Sequence, residues 1–136
     1  MRPIWLALLT LGLIVNVEGS NKCVWAKGRL VCKKDPSKVT DSMVYIYDRD
    51  GRSLFDHLDK DDRMGVSPVT DENGKFEVEG CGSDRDWVPF YANNPEPYLR
   101  IHHFCNTEEG EDKNVMPPFD TFVPQVYDAG VIELDD

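Results

Sequence analysis

Cations gathered around a tryptophan are the first residues in the chain with chemistry to offer. Residues 20–38 hold six Lys or Arg against one acid, Asp35, which gives this segment a net charge of +5. Side chains alternate along a strand, so the odd-numbered residues of this segment share one outward face. Cations beside an interfacial aromatic residue suit an anionic phospholipid headgroup. The predicted lipid-binding residues are Trp25, Lys27, Arg29, Lys33 and Lys34.

These cations also have an explanation that needs no ligand. Lysines on an edge strand keep that edge solvated and discourage aggregation. Each Lys or Arg near an anionic membrane contributes about 1 kcal/mol, so four or five contribute about 5 kcal/mol at most. Binding through charge alone is therefore weak unless Trp25 inserts or several copies bind together.

The rest of the chain is strongly acidic. Its 136 residues include 15 Lys+Arg and 25 Asp+Glu, a formal charge of −10. Because residues 1–19 are neutral and residues 20–38 carry +5, residues 39–136 carry −15. Nucleic acid is excluded as a partner, since the phosphate backbone selects proteins with net positive charge. The division of charge indicates two different partners for one small domain.

The histidines do not form a catalytic pair. His102 and His103 are adjacent, so they point to opposite faces of a strand and do not act on one substrate. The cysteines show no CxxC spacing and no closely spaced histidine, so a zinc site is not expected. We predict no catalytic residue, no metal ligand and no cofactor.

Carboxylates gather between Asp48 and Asp62, and calcium is the alternative to a plain solvated loop. An EF-hand loop places its glycine five residues after the first aspartate and a glutamate at its twelfth position. Here Gly51 comes three residues after Asp48, that glutamate is missing, and arginines and lysines dilute the charge. The pattern favours the solvated loop.

Residues 1–19 have the pattern of a secretory signal peptide. A short basic start, Met1-Arg2-Pro3, precedes an apolar run from Ile4 to Val15, and small or aliphatic residues precede Ser20. Twelve apolar residues are too few to cross about 30 Å of hydrocarbon. We therefore expect a secreted, extracellular protein that is not transmembrane, with a mature domain of residues 20–136.

In an oxidising compartment the four cysteines predict two disulfides. Cys23 and Cys32 lie on one strand and are too far apart to bond to each other. Of the two remaining pairings, strand parity favours Cys32–Cys105, because both residues fall on the apolar face of their strands. That choice leaves Cys23 for Cys81.

Short apolar runs separated by polar turns predict an all-β sandwich. An acidic loop is expected at Thr107–Lys113, and turns are expected at Asp71–Gly74 and Asp128–Gly130. The predicted strands are Val24–Lys33, Met43–Asp48, Lys75–Glu79, Tyr98–Phe104, Thr121–Tyr127 and Val131–Leu134, and Val66–Thr70 is a further candidate.

Five runs in this order resemble the nematode transthyretin-like family of secreted proteins. They are Ala26–Cys32, Val44–Asp48, Thr70–Val78, Pro97–Asn106 and Tyr127–Leu134. The resemblance implies a transthyretin-like sandwich of two antiparallel sheets and an extracellular protein without enzymatic activity. Similar sandwiches include a hydroxyisourate hydrolase that ends in Tyr-Arg-Gly-Ser, whereas this chain ends in Ile132–Asp136.

The resemblance also implies a function. One member of the family bridges phosphatidylserine on dying cells to a phagocyte receptor. The first hypothesis is therefore a secreted bridging protein for apoptotic cell clearance. Its basic strand would bind phosphatidylserine, and an acidic face would bind the ectodomain of the phagocyte engulfment receptor. The alternative is a secreted carrier that holds a small apolar ligand or a peptide in a cleft between the sheets.

Overall fold

The computed structural model describes residues 21–49, 61–83 and 95–136. The predicted signal peptide, His57 and the acidic residues between 50 and 60 lie outside these ranges. The regular elements of these ranges are seven strands and a 3-10 helix at Pro36–Asp41. The strands are β1 Asn21–Val31, β2 Met43–Asp48, β3 Asp62–Pro68, β4 Lys75–Ser83, β5 Pro97–His103, β6 Glu111–Val115 and β7 Tyr127–Glu133.

The strands form two sheets, which confirms the predicted all-β sandwich. The first sheet has the order β4-β1-β7, and the second has the order β3-β2-β5-β6. Alternation explains why these segments are strands: in β2 every second residue is buried, from Val44 to Asp48. One detail differs from the expected antiparallel sheets, because β7 runs parallel to β1.

The core lies between the inward faces of the two sheets. Val24, Ala26 and Leu30 of β1 are at most 1% exposed, and they face apolar residues from the other sheet. Burial of this apolar surface is the main stabilising term of the fold. The other members include Val44, Ile46, Phe76, Val78, Leu99, Ile101, Ile132 and Leu134.

The predicted strand at Thr121–Tyr127 is wrong. This stretch is a loop, because Pro124 has no N–H for a strand ladder. Strand β7 begins only at Tyr127, so the expected turn Asp128–Gly130 lies inside the strand. There the register with β1 shifts between Lys27 and Arg29, and Gly130 adopts a φ of 68°. A β-bulge thus accommodates the turn-like residues within the strand.

The predicted acidic loop at Thr107–Lys113 is also partly wrong. Its second half belongs to β6, which pairs with β5 after a turn at Gly110, where φ is 84°. Polar side chains pair across these strands, including Arg100 Nε with Asn114 Oδ1 at 2.9 Å. Charged residues are common on an edge strand, so composition alone concealed β6.

Two disulfides join Cys23 to Cys81 and Cys32 to Cys105, the pairs that strand parity predicts. The first links directly opposed residues of β1 and β4. The second is buried and ties the end of β1 to the end of β5 in the other sheet. The bonded cysteines are 58 and 73 residues apart in sequence, for which loop-closure entropy gives a stabilisation of about 4 kcal/mol each.

Two glycines close one edge of the sandwich. Strands β3 and β4 belong to different sheets, yet their backbones touch at Gly65 and Gly80. A Cβ atom on Gly80 would lie 2.5 Å from the carbonyl oxygen of Met64, and one on Gly65 would overlap the carbonyl oxygen of Glu79. The two backbones therefore lie too close together at this edge for a side chain to fit between them.

This contact predicts the effect of Gly80→Ala. The new methyl group meets rigid backbone, so we expect the free energy of unfolding to fall by about 2 kcal/mol. Gly82→Ala is the matched control, because its Cβ would meet only the flexible side chain of Met64, at 3.0 Å. Urea unfolding of both variants measures the difference. Equal stability of the two would contradict the close approach of β3 and β4.

Candidate functional site

The outer face of the first sheet carries the predicted lipid-binding strand. Trp25, Lys27 and Arg29 of β1 point outward, and the Trp25 side chain is 41% exposed. β1 is the middle strand, with β4 on one side and β7 on the other. Protection of a sheet edge therefore does not explain these cations.

Neighbouring strands bring acids beside these cations. On β4, Glu79 lies opposite Trp25 and Glu77 lies opposite Lys27. On β7, Asp128 is the partner of Lys27. The outer face thus carries both signs, although the β1 sequence by itself is basic: Lys27 lies between Glu77 and Asp128, whereas Arg29 lies opposite another cation, Lys75. The charged residues on this face near Trp25 and Gly28 are Lys27, Arg29, Lys75, Glu77, Glu79 and Asp128, and Glu133 lies farther along β7, opposite Val31.

A shallow, open depression of about 420 Å³ lies in the middle of this face. Backbone at Gly28 and Gly130, together with Phe76, lines its floor. A Cβ atom on Gly28 would lie 2.8 Å from Cζ of Phe76, so a larger residue at this position would displace the Phe76 ring. The charged residues around the depression are Lys27, Arg29, Lys75, Glu77 and Asp128.

The structure separates Lys33 and Lys34 from this depression. Both follow the end of β1. Lys33 contacts the end of β7, and the Lys34 side chain contacts the loop after β5. Lys33 Nζ lies 3.0 Å from Glu133 Oε2, and this hydrogen bond and charge raise the pKa of Lys33. Lys34 Nζ lies 3.1 Å from Asn106 Oδ1. Of the five predicted residues, the structure places Trp25, Lys27 and Arg29 together.

Sequence reasoning missed the partners contributed by β4 and β7. Lys75, Glu77 and Asp128 are 48 to 101 residues from Lys27 in sequence, so no local spacing connects them. The alternation Lys75-x-Glu77-x-Glu79 was the available signal, since it marks a solvated strand face. Its position beside β1 depends on the strand order.

The outer side of the second sheet has a cation that is already engaged within the protein. The Arg100 guanidinium lies 4.5 Å from the centre of the Tyr47 ring and donates to the Tyr98 hydroxyl at 2.8 Å. That hydroxyl donates to Asp61 at 2.6 Å. Burial and this hydrogen bond raise the pKa of Tyr98 to about 12. The cluster holds the sheet surface together and leaves Arg100 a poor candidate for lipid binding.

The histidines lie on opposite faces of β5, as expected from their adjacency. His102 is partly exposed, and its Nδ1 lies 2.7 Å from Asp112 Oδ1. His103 is 1% exposed, and its Nδ1 accepts a hydrogen bond from the Cys105 N–H at 3.2 Å. Each ring has its own partner, and the pair does not converge on one point.

Asp48, the first carboxylate of the stretch considered for calcium, has a structural role. Asp48 is 7% exposed and accepts the backbone N–H of Glu96 at 2.8 Å. Burial, followed by the charges of Asp62, Glu96 and Asp61, raises the pKa of Asp48. Within the described ranges, the metal-type ligands that come within reach of one another are Cys32, Cys105 and Asp135, and the two sulfurs are bonded to each other.

The sequence profile of the transthyretin-like family matches residues 27–117. This range includes Lys27, Arg29, Lys75 and Glu77 of the depression. The chain belongs to the transthyretin-like family. Membership and the two disulfides fit an extracellular binding protein. In the parts of the chain that the structure describes, no helix has the length and apolar character needed to cross a membrane.

Other comparisons add little to the transthyretin-like assignment. No curated protein matches the chain. A solved structure of a 9R-lipoxygenase from Cyanothece PCC8801 is 21% identical, with a TM-score of 0.45. The match covers 83% of this transthyretin-like chain and 16% of the lipoxygenase chain.

His103 predicts a pH-dependent stability for this transthyretin-like protein. Burial lowers the pKa of His103, and the charge of Glu111, whose Oε1 lies 3.6 Å away, opposes this only in part. A histidine in the unfolded chain has a pKa of about 6.5. Below that pH the unfolded chain binds a proton that the folded chain does not bind. Stability is therefore full above about pH 6.5 and falls on acidification, by up to about 1.4 kcal/mol per pH unit.

Urea unfolding at several pH values between 7.5 and 5.5 measures this effect. His103→Asn keeps an acceptor for the Cys105 N–H and is expected to flatten the pH dependence. His102→Asn is the control for the loss of an imidazole, because the partly exposed His102 lies on the opposite face of β5, outside the core. A parent protein with no loss of stability down to pH 5.5 would refute the role of His103.

Proposed function

We propose that this protein is a secreted bridging protein that binds phosphatidylserine on apoptotic cells and links it to a phagocyte engulfment receptor. In this proposal residues 1–19 are removed before Ser20, and the outer face of the first sheet docks on the membrane. The observation that carries the proposal is the exposed Trp25 beside a depression lined by both cations and acids. Trp25, Lys27 and Arg29 lie on the middle strand of the first sheet, where protection of an edge gives no reason for them.

The presence of both cations and acids matches the chemistry of the headgroup. Phosphatidylserine carries an anionic phosphate, an anionic carboxylate and a cationic ammonium group. Lys27, Arg29 and Lys75 offer donors to the two anionic groups, and an Arg fork binds either of them in a bidentate manner. Glu77 and Asp128 offer acceptors to the ammonium group. A face of this kind favours phosphatidylserine over an anionic lipid without an ammonium group.

A bridging protein needs a second face, and the acidic turn between β5 and β6 supplies a candidate. Glu108, Glu109 and Asp112 are exposed there. This turn belongs to the second sheet, whereas Trp25 and Lys27 belong to the outer side of the first sheet. In our proposal the receptor ectodomain contacts the acidic turn while the first sheet remains on the membrane.

The carrier alternative finds less support. A carrier needs a cleft between the sheets, but β3 and β4 touch through backbone at Gly65 and Gly80. Between the sheets, Val24, Ile46 and Leu99 are fully buried by one another and by the rest of the core. A ligand would have to displace these packed side chains.

Flotation with liposomes tests the proposal. Protein collected from the medium of expressing cells is mixed with vesicles of phosphatidylcholine alone, or with equal fractions of phosphatidylserine or phosphatidylglycerol. We expect recovery with phosphatidylserine, less with phosphatidylglycerol and little with phosphatidylcholine. The double variant Lys27→Glu/Arg29→Glu reverses two charges at the depression and should weaken binding by at least about tenfold.

Lys38→Glu is the matched charge reversal, because Lys38 lies on the 3-10 helix and not on the outer face. It should bind as the parent protein does. Equal recovery of the parent on all three vesicles would overturn the proposal. Full binding by the double variant would show that the lipid meets a different face.

A further inference from the structure

Large apolar side chains stand exposed along one side of the first sheet. Trp25 is 41% exposed, Val126 is 36% exposed and Val123 is 49% exposed. Such side chains lose favourable contacts in water, and a contiguous group of them indicates an interaction surface. Sequence patterns did not indicate this grouping, because Trp25 and the two valines are about a hundred positions apart and Thr121–Tyr127 was expected to be a strand.

The register of β1 and β7 brings these residues together. Tyr127 is the parallel partner of Ala26, so the preceding residue, Val126, comes alongside Trp25. Farther along the loop, the Val123 N–H donates to the carbonyl oxygen of Cys23 at 3.0 Å. The loop therefore continues the line of β7 beside the first half of β1. We call Trp25, Val123, Pro124 and Val126 the apolar wedge.

Aromatic residues hold the loop in place. The Phe119 ring is buried and stacks on Tyr127, with ring centres 3.9 Å apart and planes nearly parallel. Lys22 Nζ lies 4.7 Å from the centre of the Phe122 ring. The Gln125 N–H donates to the Phe122 carbonyl at 3.0 Å and closes a turn. A loop held in this way loses little conformational entropy when it binds a partner.

The composition of the wedge indicates its partner. Residues 121–127 carry no charge. Lys22, whose Nζ lies over the Phe122 ring, and Lys27 adjoin the wedge on β1, and Glu79 lies opposite Trp25 on β4. Tryptophan is enriched at the boundary between headgroups and acyl chains, where aliphatic neighbours reach the chains. An uncharged apolar strip that contains a tryptophan and is flanked by charges of both signs matches the headgroup boundary of a bilayer whose lipids carry both signs.

We propose that the apolar wedge inserts into the boundary between headgroups and acyl chains while the depression holds a headgroup. This inference rests on the proposed function, because both contacts are made with the same membrane. It adds a separate source of affinity, which depends on buried apolar area and persists at high salt. The two contacts therefore respond differently to mutation and to ionic strength.

Trp25 itself reports insertion. In the secreted protein, Trp87→Phe leaves Trp25 as the single tryptophan once residues 1–19 are removed. We expect its emission to shift to the blue on vesicles of phosphatidylcholine and phosphatidylserine, and to be quenched by lipids brominated near the headgroup end of the acyl chain. In the same background, Val123→Asp/Val126→Asp should remove the shift and weaken vesicle binding by at least about tenfold.

Val66→Asp is the matched control. Val66 is 41% exposed but belongs to β3 of the second sheet, so vesicle binding should stay within about twofold of the parent. Thermal unfolding of each variant verifies that it is folded. The wedge would be overturned if Val123→Asp/Val126→Asp bound vesicles as its parent does and Trp25 in that parent showed no shift. The headgroup proposal would then still stand.

The remaining outcomes also separate the two proposals. Binding of the parent to pure phosphatidylcholine with a Trp25 shift would support the wedge and overturn headgroup selectivity. No binding of the parent to any vesicle would overturn both. If the wedge variants bind vesicles normally but lose a receptor ectodomain, a protein covers the wedge and the membrane assignment is wrong.

Discussion

Strand β1 carries a hydrogen-bonded neighbour on each side and a disulfide towards each end. Antiparallel β4 and parallel β7 fix its register, Cys23–Cys81 holds it to β4, and Cys32–Cys105 ties it to the second sheet. Because the inward side chains of β1 belong to the core, the register of the strand is fixed, and so are the positions of its outward side chains. The geometry of the outer face follows from this one strand.

The register of β1 with its neighbours places acids beside a segment that is basic in sequence, so the resulting surface carries both signs. Residues 20–38 carry +5, yet Lys27 lies between Glu77 and Asp128. Charges a few ångströms apart offset each other at a distance beyond a Debye length of about 8 Å. They remain distinct to a ligand in contact with them. A face that carries both signs attracts anions weakly in general, and in the proposed function it would select a ligand that also carries both signs.

Local patterns predicted what depends on one strand at a time. The alternation in β2 gave both of its ends correctly, and the parity of Cys32 and Cys105 gave their pairing. The missed features depend on distant partners. β6 is a strand because β5 pairs with it, and the acids beside Lys27 arrive only through the strand order. The sequence therefore predicted which charged and aromatic side chains β1 presents, but not which residues of β4 and β7 lie beside them.

In the proposed function, affinity for a membrane comes from contacts at short range. With the whole chain at −10 and charges of both signs on the outer face, an anionic bilayer exerts little attraction on the protein before contact. The charged residues of the depression would orient the protein and select the lipid, but each also loses hydration on binding. Burial of apolar side chains has no such opposing cost. The proposal therefore assigns binding free energy chiefly to the apolar wedge and lipid selectivity to the depression.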